Sequence, residues 1–313
     1  HRGTYTSQAR TKMLNRRSEN ALREAELWGA AAMVLGKSDF PFDVWDRAWK
    51  KVLLNQFHDI LPGSSIQRVY EEAEAQLSEV IQTASAMADA GRAALLTDET
   101  GLTVFNGMSW RRTDLIELPH GMAGLQSGAG QNLPAQTDNG KTTVEVTVPS
   151  CGWASFSDGT PEVPENSMVV GEDRLENDLV KIVFNDYGEI TQIFDKVNQS
   201  ELTTGLCNSL RMYQDIPSAF DAWDIDSMYR LTPVELPERA NITVGAQGPL
   251  FASLTVKRRL NNSAITQTIR LRRNSRRVDF ETVVDWQERH KLLKVCLLYT
   301  SPSPRDRTRS RMP

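Results

Sequence analysis

Cysteine is scarce in this chain. Cys151, Cys207 and Cys296 are the whole set among 313 residues, odd in number and widely spaced. No two form a C-x-x-C pair, which argues against both a structural zinc site and a disulfide framework, and fits a reducing, cytoplasmic setting. Histidine is nearly as scarce: His1, His58, His120 and His290 are the four. None lies in an H-E-x-x-H pattern, and no H-x-D occurs anywhere. No stretch approaches the roughly 20 apolar residues that span a bilayer, so neither a transmembrane helix nor a membrane partner is expected. The chain starts at His1 without Met and without a charged-then-apolar leader, so no signal peptide can be read. A net charge of −4 gives no reason to expect nucleic acid as a partner. What is left, 40% hydrophobic and 24% charged, is ordinary for a globular protein, and 313 residues allow two domains with separate cores.

The periodicity changes once along the chain. From about residue 12 to 96 it is helical. Leu14, Ser18, Ala21, Ala25, Trp28, Ala32 and Leu35 fall at alternating four- and three-residue steps, and Gly36 follows as a C-terminal cap. After the loop at Phe40-Pro41-Phe42, with Asp43 expected as N-cap, Trp45, Trp49 and Val52 repeat the rhythm. A third stripe runs through Ile66, Tyr70, Ala73, Leu77, Val80, Ala84 and Met87. Three amphipathic helices bury their stripes against one another, so a three-helix bundle is expected. From Thr103 the period becomes alternating, with strands predicted at 103–105, 115–118, 142–148, 179–184, 251–260, 265–272 and 278–284. Turn signals such as Asn106-Gly107, Asp138-Asn139-Gly140 and Asp186-Tyr187-Gly188 separate them. Many strands without intervening helices argue for an antiparallel β-sandwich. The Gly-, Gln- and Ala-rich run from Gly121 to Gln136 reads as loop.

One stretch carries more chemistry than the rest: Asn55-Gln56-Phe57-His58-Asp59-Ile60-Leu61-Pro62-Gly63-Ser64-Ser65-Ile66. It sets a histidine beside an aspartate where one helical pattern stops and another starts. Pro62-Gly63 breaks the helix, and Ser64 with Gln67 three residues on has the form of a capping box. Alone, a histidine near a helix C-terminus is more often a cap or a satisfied core residue than a metal ligand. The whole motif, however, resembles the NQFHD-I-x-GSS segment of glycoside hydrolase family 38, the retaining α-mannosidases. His1-Arg2-Gly3-Thr4-Tyr5-Thr6-Ser7-Gln8-Ala9 resembles the segment leading into that family's helical domain. Val104-Phe105-Asn106, Leu175-Glu176-Asn177, Asp221-Ala222-Trp223-Asp224-Ile225-Asp226 and Asp285-Trp286-Gln287-Glu288-Arg289-His290 follow in family order. The resemblance runs from His1 to about Val295 and is greatest to the bacterial and cytosolic branch.

That resemblance implies an α+β multidomain chain: a helical middle domain over 1–98, then a galactose-mutarotase-like β-sandwich, incomplete, over 99–295, with the N-terminal catalytic β/α barrel missing. It implies His58 as a metal ligand and Asp59 as a substrate contact, with Zn2+, or Co2+ on the same nitrogen and carboxylate donors, as cofactor. Retaining glycosidases need two carboxyl groups about 5 Å apart, and in this family the metal also grips sugar hydroxyls. The family's nucleophile and its His-x-Asp ligands lie in the barrel, so no catalytic residue is assigned here and the chain alone is expected to be inactive. The implied partner is a mannose-containing oligosaccharide, and self-association to a homo-oligomer stays open. Other readings remain: a non-catalytic helical/β module that binds carbohydrate or protein, or a family member acting on a modified mannoside such as mannosylglycerate.

Other groups are read more plainly. Asp221–Asp226 is expected as a turn that pins Trp223 into the core, in preference to a cation or sugar site. Asp285, Glu288, Arg289 and His290 are expected as ion-paired surface or strand residues, His120 beside Pro119 as loop, and His1 as adjoining the barrel in the intact enzyme. From Cys296 to Pro313 the composition turns to Ser, Pro and Arg. That run cannot pack a sheet, resembles translated adapter DNA, and is set apart as a foreign or disordered tail over 296–313.

Overall fold

The computed structural model describes residues 1–96 and 101–298. Three helices come first: α1 (Ala9–Val34), α2 (Phe42–Asn55) and α3 (Gln67–Leu95), preceded by a 3-10 turn at Gly3–Tyr5. The stripes meet as expected except at their ends, where Leu35 and Ile66 stay exposed. Leu14, Leu22, Ala25, Trp28 and Ala32 of α1, Ala48 and Val52 of α2, and Leu77, Val80, Ala84 and Ala88 of α3 form one buried cluster. Each large side chain among them contributes about 1.5–3 kcal/mol by leaving water. The backbones of α1 and α3 approach so closely that a β-carbon on Gly91 would stand 2.7 Å from Gly29 N. Among the described residues no helix is long and apolar enough to cross a membrane.

Gly36, at φ 66°, ends α1, its N–H donating to Met33 O at 2.9 Å. The two expected N-caps differ. Asp43 lies inside the first turn of α2, whose N-cap is Pro41, so its carboxylate faces the helix dipole without capping. The N-cap of α3 is Ile66 with no side-chain cap, because the Ser64 and Ser65 hydroxyls turn back onto Asp59 instead.

Antiparallel strands fill the rest, in two packed units. In the first, strands Leu102–Asn106, Gly152–Asp158 and Leu125–Gln126 face strands Arg112–Glu117, Lys141–Val148 and Ala135–Asp138. Val144, Val146, Val148 and Phe156 lie between the two sheets. The expected 121–136 loop supplies two of these strands. Leu125 and Ala135, both fully buried, draw it into the core. In the second unit a five-stranded sheet spanning Val169–Gly171 to Ser200–Glu201 packs on a four-stranded one from Asn241–Gln247 to Val278–Asp285. Leu175, Ile182, Phe184 and Ile190 meet Leu254, Val256, Ile269 and Leu271 between them.

A further sheet orders Pro233–Val234, Ser209–Gln214 and Lys291–Cys296. Its register pairs Gln214 with Lys291 and Ser209 with Cys296. Cys296, where the sequence reading begins the tail, is therefore still a ladder residue, and the Leu298 N–H donates to Cys207 Sγ at 3.1 Å. The remainder of that tail, 299–313, and the expected 98/99 domain boundary lie outside the described residues. No β/α barrel occurs among the described residues.

The bundle and the first β unit share a seam. Phe105 meets the Trp28 ring edge-on at 5.0 Å and Trp153 at 5.7 Å, while Arg23 Nη2 donates to Gly107 O at 2.6 Å.

Candidate functional site

The Asn55–Ile66 segment is held by its own side chains and by the helices around it. Asn55 Nδ2 donates to Lys51 O at 2.8 Å and to Gln76 Oε1 at 2.9 Å. Gln56 Nε2 donates to Glu19 Oε1 at 2.9 Å and Asn15 Oδ1 at 3.2 Å. These two amides tie the end of α2 to α3 and α1. Two tight turns follow, closed by Ile60 N–H to Phe57 O at 2.9 Å and Gly63 N–H to Ile60 O at 3.2 Å. The Asp59 carbonyl then accepts from Ser65 Oγ at 2.8 Å and Tyr70 OH at 3.4 Å, and Ser64 Oγ reaches Asp59 Oδ1 at 3.4 Å. The serines of the motif thus fix the backbone of the aspartate.

His58 itself stands outward. Its side chain is 76% exposed, Nε2 lies 3.6 Å from Asp59 Oδ2, and the Phe57 ring tilts against it at 4.1 Å. Leu53, Leu54 and Phe57, close by in sequence, are also exposed.

Two other motifs converge on this loop. Lys12 Nζ donates to Leu61 O at 2.7 Å, to Pro62 O at 3.3 Å and to Ser7 O, and burial lowers the pKa of its ammonium. Ser7 Oγ lies 2.9 Å from both Gly3 O and Ala222 O, and the Gly3 N–H donates to Trp223 O at 2.9 Å. The His1 ring meets Trp223 edge-on at 5.0 Å, and the His1 amino group lies 3.2 Å from Asp224 Oδ1. His1–Ala9, Asn55–Ile66 and Asp221–Asp226, far apart in the chain, therefore form one surface. Asp221–Asp226 is a turn, as expected, with the Trp223 and Asp224 N–H groups both donating to Phe220 O. Trp223 is half-buried against His1 and belongs to none of the apolar clusters, so it is not the core anchor the sequence suggested.

Asp215 extends this surface and was not singled out in the sequence. Its N–H donates to His290 O at 2.8 Å, and its Oδ1 is buried without a partner among the described residues. Burial first, then the charges of Asp221 and Asp226, raise its pKa, and His290 opposes them. The legible signal was the run of acids at 215, 221 and 226 around one tryptophan. Nearby expectations fare differently. Glu288 accepts from Asn261 Nδ2 at 2.9 Å and Asn262 N at 2.7 Å, closing a hairpin turn in place of the expected ion pair. His120 lies in an exposed turn.

Zinc takes about three protein ligands in a catalytic site. His58 and Asp59 offer an exposed imidazole with a carboxylate beside it, and no group of three or more His, Cys, Asp or Glu side chains with metal-binding geometry occurs among the described residues. The donors present fit part of a shell, and the described residues do not complete one.

Comparison with known proteins follows the same division. Residues 1–95 match the alpha mannosidase middle domain, and residues 175–305 match the C-terminal domain of glycosyl hydrolases family 38. Alpha-mannosidase 2C1 of Homo sapiens is 30% identical over 312 residues, covering 94% of this chain and 28% of the relative. The alpha-mannosidase of Saccharomyces cerevisiae is 28% identical over 319 residues, covering 94% of this chain and 26% of the relative. A solved family 38 protein from Enterococcus faecalis shares the fold at a TM-score of 0.77 and 18% identity, over 94% of this chain and 45% of that one. The chain thus spans little more than a quarter of the mannosidases it matches. With a middle domain and a C-terminal domain matched in order, the chain belongs to glycosyl hydrolase family 38.

Proposed function

We propose that this chain forms part of a retaining, metal-dependent α-mannosidase that removes terminal α-linked mannose from oligosaccharides. His58 serves as one ligand to Zn2+, or to Co2+ on the same donors, and Asp59 contacts the sugar. The observation that carries this reading is the division of labour in the loop. Asn55, Gln56, Ser64 and Ser65 are spent on holding the loop, while the His58 imidazole is left outward with the Asp59 carboxylate and the Phe57 ring beside it. A cap or core histidine would have a partner or be covered. The exposed Leu53, Leu54 and Phe57 beside it suit a surface that a further part of the enzyme covers.

Chemistry then needs more than this chain. When bound, the metal would supply Lewis-acid chemistry to sugar hydroxyls, and the carboxyl pair for retention would come from the barrel domain. The acidic turn at Asp221–Asp226 and the Trp223 edge border the same surface and suit a hydroxyl-rich ligand. The free cysteines Cys151, Cys207 and Cys296 fit a reducing cytoplasm.

Substituting His58→Ala in the longer polypeptide of the family tests the reading. Loss of stoichiometric metal together with loss of α-mannoside hydrolysis is expected. Retention of both would overturn it, and retained glycan binding without any hydrolysis in the parent would favour the non-catalytic module.

A further inference from the structure

Arginine is almost never buried unless a carboxylate or a full set of acceptors answers it. Arg258, only 7% exposed in the Phe251–Leu260 strand, departs from that rule. Its Nε donates to Glu238 O at 3.0 Å, its Nη2 donates to Leu236 O at 2.7 Å, and its guanidinium lies over the Tyr187 ring at 5.0 Å. Nη1 has no partner among the described residues. Among the described residues no carboxylate is hydrogen-bonded to it. Glu189 is near enough to be felt electrostatically, but its oxygens are taken by Ser209 Oγ at 2.7 Å and Asn185 Nδ2 at 2.9 Å. Burial accordingly lowers the pKa of the Arg258 guanidinium.

Arg258 forms one wall of a cleft of about 360 Å³, where the Asn185–Glu189 turn, the Ser209–Gln214 strand and the 233–236 segment meet. The volume lies at the small end of ligand pockets. The other walls include Tyr187, Tyr213 and Arg211, the last of these exposed. Two guanidiniums and two phenol rings face a single carboxylate that is already engaged, so the cleft carries uncompensated positive charge beside planar apolar surface. That pairing of a forked donor with an aromatic wall suits a planar or tetrahedral oxyanion on a compact molecule.

We propose that this cleft binds a small oxyanion, a carboxylate or phosphate group, with Arg258 Nη1 as the inner donor and Arg211 as the outer one. Nη1 is screened from water, so a ligand oxygen reaches it only when the side chains packed around it shift. The proposal is independent of the mannosidase reading and uses none of the residues assigned to it.

Titration of the 313-residue chain with inorganic phosphate and, separately, with acetate tests it, with 31P and 13C NMR line broadening of the anion as the readout. Saturable binding in the millimolar range is expected for at least one anion. Whichever one binds identifies the source chemistry. Arg211→Ala, at an exposed position, should weaken it about tenfold, the equivalent of one charge-assisted hydrogen bond. Arg258→Lys, which keeps the charge and loses the fork, should abolish it while circular dichroism stays native. If Arg258→Lys does not fold, the Arg211→Ala arm decides. Absence of saturable binding for both anions, or binding unchanged by Arg211→Ala and by a folded Arg258→Lys, would overturn the proposal.

Discussion

Gly63 rests its bare α-carbon on Ser7: a β-carbon at 63 would stand 2.7 Å from Ser7 Cβ and about as close to the Ser7 backbone. Gly63 also sits at φ 103°, a conformation side chains rarely adopt. This contact joins the first segment of the chain to the His58 loop. Gly63→Ala meets both the close approach and the backbone strain, so we predict a loss of about 1–3 kcal/mol. Urea unfolding of the purified variant measures it, and hydrogen exchange should show the loss of protection concentrated in 57–65.

His58→Ala should behave in the opposite way. The imidazole is 76% exposed and its neighbours hold the loop without it. The 313-residue chain should change in stability by no more than about 0.5 kcal/mol. A thermal unfolding curve displaced well beyond that would mean that His58 is structural.

Asp215 gives a pH signature. Burial and the Asp221 and Asp226 charges raise its pKa above the ordinary 3.8. The folded state therefore holds this proton more tightly than the unfolded one. Its contribution to stability is fully present below pH 3.8 and is lost as pH rises through the higher folded value. Asp215→Asn, neutral throughout, should gain stability over the parent at pH 7, and the gain should disappear at pH 3. Paired melting curves across this range are the check.

Asp114 carries the opposite sign. Burial pushes its pKa up, but hydrogen bonds from Arg272 and the Leu115 N–H and the charges of Arg272 and Arg112 outweigh it, so the pKa is lowered. The Asp114–Arg272 pair, with Arg273 Nη2 to Glu145 Oε1 at 3.2 Å, links the two β units. A lowered carboxylate stabilises above the unfolded 3.8 and loses that contribution as pH falls through the folded value. Asp114→Asn should melt earlier than the parent at pH 7, with the gap closing as pH drops below 3.8.

The helices were legible because their stripes are local, three- and four-residue steps that need no knowledge of distant chain. The long strands were legible for the same reason. Where local pattern misled, a distant or competing partner had won. Ser64 has the sequence of a cap, yet the Asp59 carbonyl takes the hydroxyls of the two serines. Leu125 and Ala135 sit in a run that reads as loop, but both are buried in the first β core. The Lys291–Cys296 strand pairs with Ser209–Gln214, some eighty residues away, and no local signal announces that register. The candidate site divides the same way. His58 and Asp59 stood out in the motif, whereas Ser7, Lys12 and Asp215 join them through contacts between segments up to 215 residues apart.

His58 stands outward, and among the described residues no group of three or more His, Cys, Asp or Glu side chains completes the metal shell proposed for it. The most direct measurement is metal content and hydrolysis of a chromogenic α-mannoside by the purified 313-residue chain supplied with excess zinc. We predict no stoichiometric zinc after gel filtration and no turnover above the buffer rate. One zinc per chain together with His58-dependent turnover would contradict it, because a complete catalytic centre would then have to lie within these residues.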